Sequence, residues 1–316
     1  MSKEQNIQEI ATNKVRIYTC TSWDDFTSRV RQDIPLTTGS DTWSEGALTI
    51  FRGHPDPTWK LRSRFERRTT YEFPPDEHGH ASAISLRTGR GVASYTEACK
   101  TILEDFRQLS HGMPGTYRGM PDDELWAIGQ HHGLMTPLLD WTESPYVAAY
   151  FAFLEEARDF ERYVDIRITK TGFVRVWGLR FWEDLDVRGE FELLKEIPLS
   201  QRQLAQRGCF TKLLSDKQHE LEGYLESRGK AHCLEAYDIP KRFTAEALCD
   251  LHLMNVTPAT LFPDLNGAAA QANFDFNGAR FFSSFIHHQG QPFGARSATA
   301  AQQAVAADDP AAGKPE

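Results

Sequence analysis

Cysteine is scarce in this 316-residue chain, and its spacing excludes the usual cysteine frameworks. No two of the five cysteines form a Cys-x-x-Cys pair, and their number is odd. Neither a zinc knuckle nor a disulfide framework is therefore indicated. Because free thiols persist where the compartment is reducing, a cytoplasmic location is the expectation.

Long apolar runs are also missing. No stretch approaches the roughly 18 consecutive apolar residues that a membrane-spanning helix needs. Residues 1–6 are polar, where a signal peptide would lead into an apolar core. The sequence therefore predicts no membrane partner.

Positive charge is in the minority, with 35 Lys and Arg against 44 Asp and Glu and a net charge of −9. A chain of this charge is not a generic polyanion binder. Residues 60–68, which read KLRSRFERR, are a local exception. Such a strip is more often a solvated surface than a binding site.

Aromatic residues, in contrast, are plentiful: 20 Phe, 9 Tyr and 7 Trp are enough for a sizeable core. We divide the chain into a lead-in over residues 1–45, one domain over 46–294 and a tail over 295–316. The tail has no large apolar residue except Val305, so it is predicted to be disordered.

Strand and helix patterns are mixed along the domain. An apolar run over 47–51 predicts a buried strand, and alternation over 164–168 and 173–177 predicts a hairpin. The predicted helices share a capping residue, a first-turn proline or apolar residues at helical spacing; they begin at Ser22, Ser94, Pro121, Ser144 and Phe243. The predicted fold class is α+β, with mixed or antiparallel central sheets flanked by helices.

Four motifs lie far apart in the sequence. They are Phe51-Arg52-Gly53, a long stretch over 130–145 that reads QHHGLMTPLLDWTESP, QRGCF over 206–210 and TLFPDL over 260–265. Together they resemble the FRG domain family, which is named for its Phe-Arg-Gly motif, over roughly residues 45–270. The long middle motif is highly specific, whereas the tripeptide alone would carry no weight.

The polar residues of these motifs allow two interpretations each. Arg52, at the end of an apolar strand, offers a bidentate grip for a phosphate or carboxylate, or forms a structural salt bridge to Asp140. Asp140 follows two leucines, where an acid normally accepts hydrogen bonds from backbone or from an arginine. Ser144 caps the next helix, whose N-terminus could also face an anion.

His131 and His132 are adjacent, and adjacent histidines on a helix rarely share one metal. No second group of metal ligands accompanies them, so no metal is predicted. Stacking on a ligand or hydrogen bonding to it is the favoured interpretation, with a packed core histidine as the alternative.

The order of the motifs is similar to that of ADP-ribosyltransferases of the Arg-Ser-Glu type. By this resemblance Arg52 holds the phosphates of NAD, Thr142 and Ser144 support the nicotinamide pocket, and Gln206 stands where the enzymes carry a catalytic Glu. A neutral Gln offers no negative charge, so activity could be weak, redirected or absent, or Asp140 or Glu143 could supply the acid. We assign catalysis to Arg52, His131, Asp140 and Gln206, and NAD binding to Arg52, Gly53, His132, Thr142, Ser144 and Phe210.

The resulting hypothesis is an ADP-ribosyltransferase-like fold and NAD-dependent ADP-ribosyl transfer, with NAD as co-substrate and without a metal. The acceptor would be a protein or a nucleic acid, including RNA. The protein would act as a toxin-like or phage-defence effector, with an antitoxin or chaperone as a candidate partner. The alternatives are a non-catalytic module that binds a nucleotide or peptide, and a ribonuclease with His131 or His132 as general base.

Overall fold

The computed structural model describes most of the predicted domain and part of the lead-in. The described residues are 13–33, 48–68, 83–84, 91–92, 94–116, 118–161, 171–181, 185–195, 200–217 and 220–276. The predicted tail over 295–316 and the first strand of the predicted hairpin, over 164–168, lie outside these residues.

A mixed seven-stranded sheet forms the centre of the protein, in the order β1-β9-β6-β2-β5-β8-β7. Only β1 and β9 run parallel, and the other neighbours are antiparallel. The strands are β1 (Arg16–Thr19), β2 (Leu48–His54), β5 (Leu138–Thr142), β6 (Phe173–Phe181), β7 (Phe191–Leu194), β8 (Gly208–Leu213) and β9 (Leu234–Pro240), and a separate pair consists of β3 (Ala83–Ile84) and β4 (Gly91–Val92). The predicted α+β class with a mixed sheet is confirmed.

Helices flank this sheet. They are α1 (Trp23–Asp33), α2 (Arg64–Arg68), α3 (Tyr95–Ser110), α4 (Asp122–His131), α5 (Pro145–Glu161), α6 (Gln201–Ala205), α7 (Leu221–Ser227), α8 (Thr244–Leu253), α9 (Pro258–Leu261) and a further helix over 265–276. The predicted caps are confirmed: Ser22, Ser94 and Ser144 accept backbone N–H bonds at 3.0, 3.2 and 3.3 Å. None of the helices in the described residues is long and apolar enough to cross a membrane.

The lead-in contributes directly to the sheet and the core. β1 pairs with β9, and Trp23 and Phe26 of α1 are completely buried in a cluster with Tyr237. Helical spacing on the helix predicted from Ser94 places Leu109 on the same face as Tyr95 and so predicts it in the core; this prediction is wrong, since Leu109 is 63% exposed. α3 buries Cys99 and Leu103 in a hydrophobic cluster instead, so the buried face of the helix runs beside Leu109 and not over it.

A partly buried carboxyl group joins α2 to α3. Glu66 accepts hydrogen bonds from the backbone N–H of Ser63 at 2.7 Å and from the hydroxyl of Tyr95 at 3.0 Å. Burial raises the pKa of Glu66 from its usual 4.5 to about 7, although the two hydrogen bonds oppose this shift. The folded protein therefore binds this proton more tightly than the unfolded chain does.

We expect the free energy of unfolding to fall as the pH rises from about 4.5 to 7, because the folded state must release a proton that it holds more tightly. The contribution of Glu66 is about 3 kcal/mol, at 1.36 kcal/mol per pKa unit. Urea titrations across this pH range measure the free energy of unfolding at each pH. They should show the decrease in the native protein, a smaller decrease in Glu66→Gln and the same decrease as in the native protein in the exposed control Glu226→Gln. Equal slopes in the native protein and Glu66→Gln would contradict the prediction.

Candidate functional site

The sheet opens between β2 and β5. In the described residues, β2 pairs with β6 at seven positions. On its other side β2 pairs with β5 at a single position, Phe51 with Thr142. Beyond this pair the strands part, and the side chain of Arg52 crosses the gap. Its Nη1 donates to the main-chain oxygen of Asp140 at 2.6 Å and lies 3.7 Å from the carboxylate Oδ2 of Asp140. A charged side chain thus takes the place of main-chain pairing at this fork.

The three residues of the Phe-Arg-Gly motif have three different surroundings. Phe51 is buried in the cluster beneath α5, whereas Arg52 spans the fork. Gly53 lies directly against α5: a Cβ atom there would stand 2.0 Å from the main-chain oxygen of Ala148 and 2.5 Å from the nitrogen of Ala152. Only glycine permits this approach, which brings α5 onto the fork.

Arg52 is held on its other side by a histidine that the sequence analysis did not select. The Nε of Arg52 donates to Nε2 of His54 at 3.1 Å. Burial, with the positive charge of Arg52 beside it, lowers the pKa of His54 to about 3, so the ring is neutral at pH 7. Burial also lowers the pKa of Arg52, and Asp140 opposes that shift. The sequence contains a signal for this contact, because residues two apart on a strand point to the same face and His54 therefore lies beside Arg52.

Asp140 is positioned by residues of the long middle motif. Nε2 of Gln130, in the last turn of α4, donates to Oδ1 of Asp140 at 2.6 Å. The hydroxyl of the buried Thr136 donates to Oε1 of Gln130. The carboxylate itself remains 66% exposed. Gln130 and Thr136, in the spacing Gln-x5-Thr-x3-Asp, therefore orient an accessible carboxylate. The sequence analysis did not assign this role to them.

The turn after β5 links the sheet to α5 and to α6. Oγ1 of Thr142 donates to the main-chain oxygen of Gln206 at 2.7 Å and accepts from the backbone N–H of Ser144 at 3.1 Å. Glu143 points elsewhere, with ion pairs to Lys195 at 2.7 Å and Arg207 at 3.1 Å. The hydrogen bond from Lys195 is the main reason why the pKa of Glu143 is lowered. Glu143 is thus engaged outside the fork.

A segment near the end of the described chain forms the far wall. Nε2 of Gln206 donates to the main-chain oxygen of Leu261 at 3.1 Å. Arg202, on α6, pairs with Asp264 at 2.6 Å, and its guanidinium lies 5.0 Å from the ring centroid of Phe262. That ring meets Phe151 of α5 edge to face at 6.0 Å. The TLFPDL motif therefore forms a wall of the fork against α5 and α6.

These elements enclose a cavity of about 380 Å³. It brings together five of the predicted residues with six others, and the lining consists of Phe51, Arg52, Gly53, Asp140, Trp141, Thr142, Ala148, Phe151, Arg202, Gln206 and Phe262. The sequence analysis did not select Arg202 and Phe262, because they are far from β2 and β5 in the sequence and approach these strands only in the folded chain.

Four predicted residues do not line this cavity. Ser144 caps α5, and Phe210 is buried in a cluster with Leu138 and Trp126. His131 and His132 are exposed at the end of α4, with their ring centroids 5.1 Å apart. In the part of the chain that the structure describes, no group of three or more His, Cys, Asp or Glu residues is placed to hold a metal ion.

Comparison with known proteins gives one result. A family model described as the FRG domain matches residues 47–161, from the start of β2 to the end of α5. No curated protein and no solved structure matches the chain. The resemblance to the FRG domain family is thus confirmed over residues 47–161, which include Arg52 and Asp140, whereas Arg202, Gln206 and the TLFPDL motif lie beyond the matched residues.

Proposed function

We propose that this chain, which carries an FRG domain over residues 47–161, is an NAD-dependent ADP-ribosyltransferase with its active site in the cavity at the fork. One observation carries the proposal. Arg52, Asp140, Thr142 and Gln206 come from three separate parts of the sequence, and all four line a single cavity. The strands that bear or follow these residues, β2, β5 and β8, are neighbours in the sheet.

The charges of the cavity suit a dinucleotide diphosphate. Two guanidinium groups, those of Arg52 and Arg202, line it, and guanidinium is the side chain that grips phosphate oxygens bidentately. Arg52 is 15% exposed, so its interaction with an anion is weakly screened by water. Phe151 and Phe262 add apolar surface for an aromatic base, and the volume lies within the usual range for small-molecule sites.

The transfer step exchanges one bond for another at the ribose. The bond between C1′ and the nicotinamide nitrogen breaks, and its electron pair leaves with nicotinamide. A lone pair of the acceptor forms the new bond to C1′, and the acceptor's proton passes to a base. Among the described residues that line the cavity, Asp140 carries the one carboxylate, and Gln130 orients it. We assign Asp140 to this base and to the stabilisation of positive charge at C1′.

Gln206 has a different part in this proposal from that of the Glu it resembles. Its Nε2 already donates to Leu261, so the side chain supports the wall formed by the TLFPDL motif. Its neutral amide adds no charge beside C1′. The acceptor is a protein or a nucleic acid, and the action on cellular acceptors is that of a toxin-like or defence effector.

The decisive experiment follows labelled NAD in the presence of protein and nucleic-acid extracts. Asp140→Asn keeps the hydrogen bond from Gln130 but removes the charge, so we expect transfer to fall about 100- to 10,000-fold, as is typical for loss of a general base. Glu143→Gln is the matched control, since its ion pairs lie outside the cavity, and it should retain transfer. Loss of transfer in Glu143→Gln with full activity in Asp140→Asn would refute the assignment.

A non-catalytic binding module is the second candidate, and the engaged amide of Gln206 favours it. Such a module would bind NAD or a related nucleotide at the same two arginines without releasing nicotinamide. Calorimetric binding of NAD to the native protein, with no nicotinamide released over hours, would decide for the module. Cleavage of RNA in the absence of NAD, abolished in His131→Ala, would instead support the ribonuclease.

A further inference from the structure

A cationic surface lies beside the cavity in a chain of net charge −9. It consists of the guanidinium groups of Arg64 and Arg67 on α2, which carry its charge, and the imidazole rings of His131 and His132 at the end of α4. Arg67 and both histidines are exposed, and Arg64 is half-buried. Since the histidine rings do not line the cavity, their exposure is unexplained by the proposed active site.

α2 is fixed to the motif that carries Asp140. The backbone N–H of Phe65 donates to the main-chain oxygen of Thr136 at 3.2 Å. Nη1 of Arg64 lies 3.8 Å from the point where a Cβ on Gly133 would stand, directly after the histidines. Arg67 is near enough to Arg52 for its charge to lower the pKa of Arg52. The cationic surface therefore adjoins the side of the cavity formed by Arg52 and Asp140.

The basic strip over residues 60–68 divides into two halves with different surroundings. Lys60 and Arg62 pair with Glu220 at 3.9 and 2.9 Å. Neither Arg64 nor Arg67 pairs with a carboxylate among the residues for which the structure gives contacts. The one acid between them, Glu66, turns inward to Ser63 and Tyr95. The half next to the cavity is thus the half that is open to an external anion.

We propose that the cationic surface binds the backbone of a single-stranded nucleic acid and presents its acceptor group to Asp140. This inference rests on the proposed function and names its acceptor class. Guanidinium groups match phosphates, and exposed imidazole rings offer faces on which unpaired bases stack. A repeating chain of phosphates can contact Arg64 and Arg67 while one nucleotide reaches into the cavity. The acidic remainder of the protein disfavours binding elsewhere.

Binding is measured by the fluorescence anisotropy of labelled 20-nucleotide single strands, one of RNA and one of DNA, over a range of salt concentrations. For single strands, each phosphate contact adds about 0.7 to the slope of log affinity against log salt. We expect Arg64→Ala with Arg67→Ala to reduce this slope by about 1.4 and the affinity by about tenfold or more. Lys60→Ala with Arg62→Ala, from the same strip, should change both far less.

A second measurement separates this inference from the proposed function. With labelled NAD, the Arg64 and Arg67 variant should lose transfer to the oligonucleotide yet still release nicotinamide, because water can take the place of the acceptor at C1′ and yield free ADP-ribose. Equal effects of the two double variants on affinity, or transfer to protein with no binding of either oligonucleotide, would overturn the inference while leaving ADP-ribosyl transfer intact. Binding that depends on Arg64 and Arg67 without any nicotinamide release would support the surface and overturn the transferase. Preference between the RNA and DNA arms identifies the acceptor.

Discussion

Arg52→Ala should strongly reduce the binding and turnover of NAD while the sheet remains folded. The guanidinium is 15% exposed, so an anion bound to it makes a contact that water screens weakly. Removal of one partner from such a charged contact costs about 2–5 kcal/mol, which corresponds to roughly 30- to 5,000-fold in affinity. Calorimetry with NAD and an assay of nicotinamide release measure the two losses.

Arg52→Lys is the control that separates charge from geometry. Lysine keeps the positive charge but offers a point charge, whereas arginine offers a planar guanidinium group with several donors. The guanidinium of Arg52 uses two of its nitrogens here, since Nη1 donates to Asp140 and Nε donates to His54. We expect Arg52→Lys to lose most of the binding, and full binding in this variant would contradict the bidentate argument.

The same substitution also tests the structural salt bridge that the sequence left open. Arg52→Ala leaves the main-chain oxygen of Asp140 without its partner across the fork, at about 1–3 kcal/mol of unfolding free energy. A protein of this size tolerates such a loss at 25 °C. If Arg52→Ala is unfolded by circular dichroism, the arginine is primarily a structural residue and the assignment to NAD binding fails.

The sequence predicted the individual helices and strands of this site better than it predicted how they pack together. Capping by Ser94 and Ser144 follows from local chemistry, because a hydroxyl and a backbone N–H three residues away need no other part of the chain. The α+β class followed from alternation and helical spacing for the same reason. Arg52 and Asp140 could be selected because charged residues next to apolar runs need partners.

The far wall could not be predicted, because it depends on tertiary packing. Arg202 meets Phe262 only when α6 and α9 come together, and nothing local marks either residue as part of a cavity. Phe210 shows the opposite error. Its place in a motif suggested a ligand contact, but strand alternation puts it in a buried cluster with Leu138. Periodicity indicates which face a residue is on, and does not reveal what covers that face.

The residue of the Phe-Arg-Gly motif with the largest expected effect on folding is Gly53. In Gly53→Ala the new Cβ would overlap the main-chain oxygen of Ala148 at 2.0 Å and the nitrogen of Ala152 at 2.5 Å. Both obstacles are backbone atoms of α5, so no rotamer change relieves the overlap and the helix must move off the sheet. Overpacking of this kind costs about 3 kcal/mol or more, which lowers Tm by about 6 to 12 °C in a domain of this size.

Gly178→Ala is the matched control, since this glycine lies on β6 opposite Phe51. A Cβ there would stand 3.4 Å from Cε1 of Phe51, which is ordinary side-chain contact. We expect a change in Tm of less than about 2 °C for Gly178→Ala, because a flexible ring can adjust where a backbone cannot. Calorimetric melting of both variants decides whether Gly53 serves packing or ligand access. Native stability in Gly53→Ala together with lost NAD binding would show that glycine is needed there for the ligand. A large loss of stability in Gly53→Ala, without one in Gly178→Ala, means that the glycine of the motif is needed for α5 to pack closely against the sheet. In that case the position of Arg52 at the fork depends on this contact between Gly53 and α5.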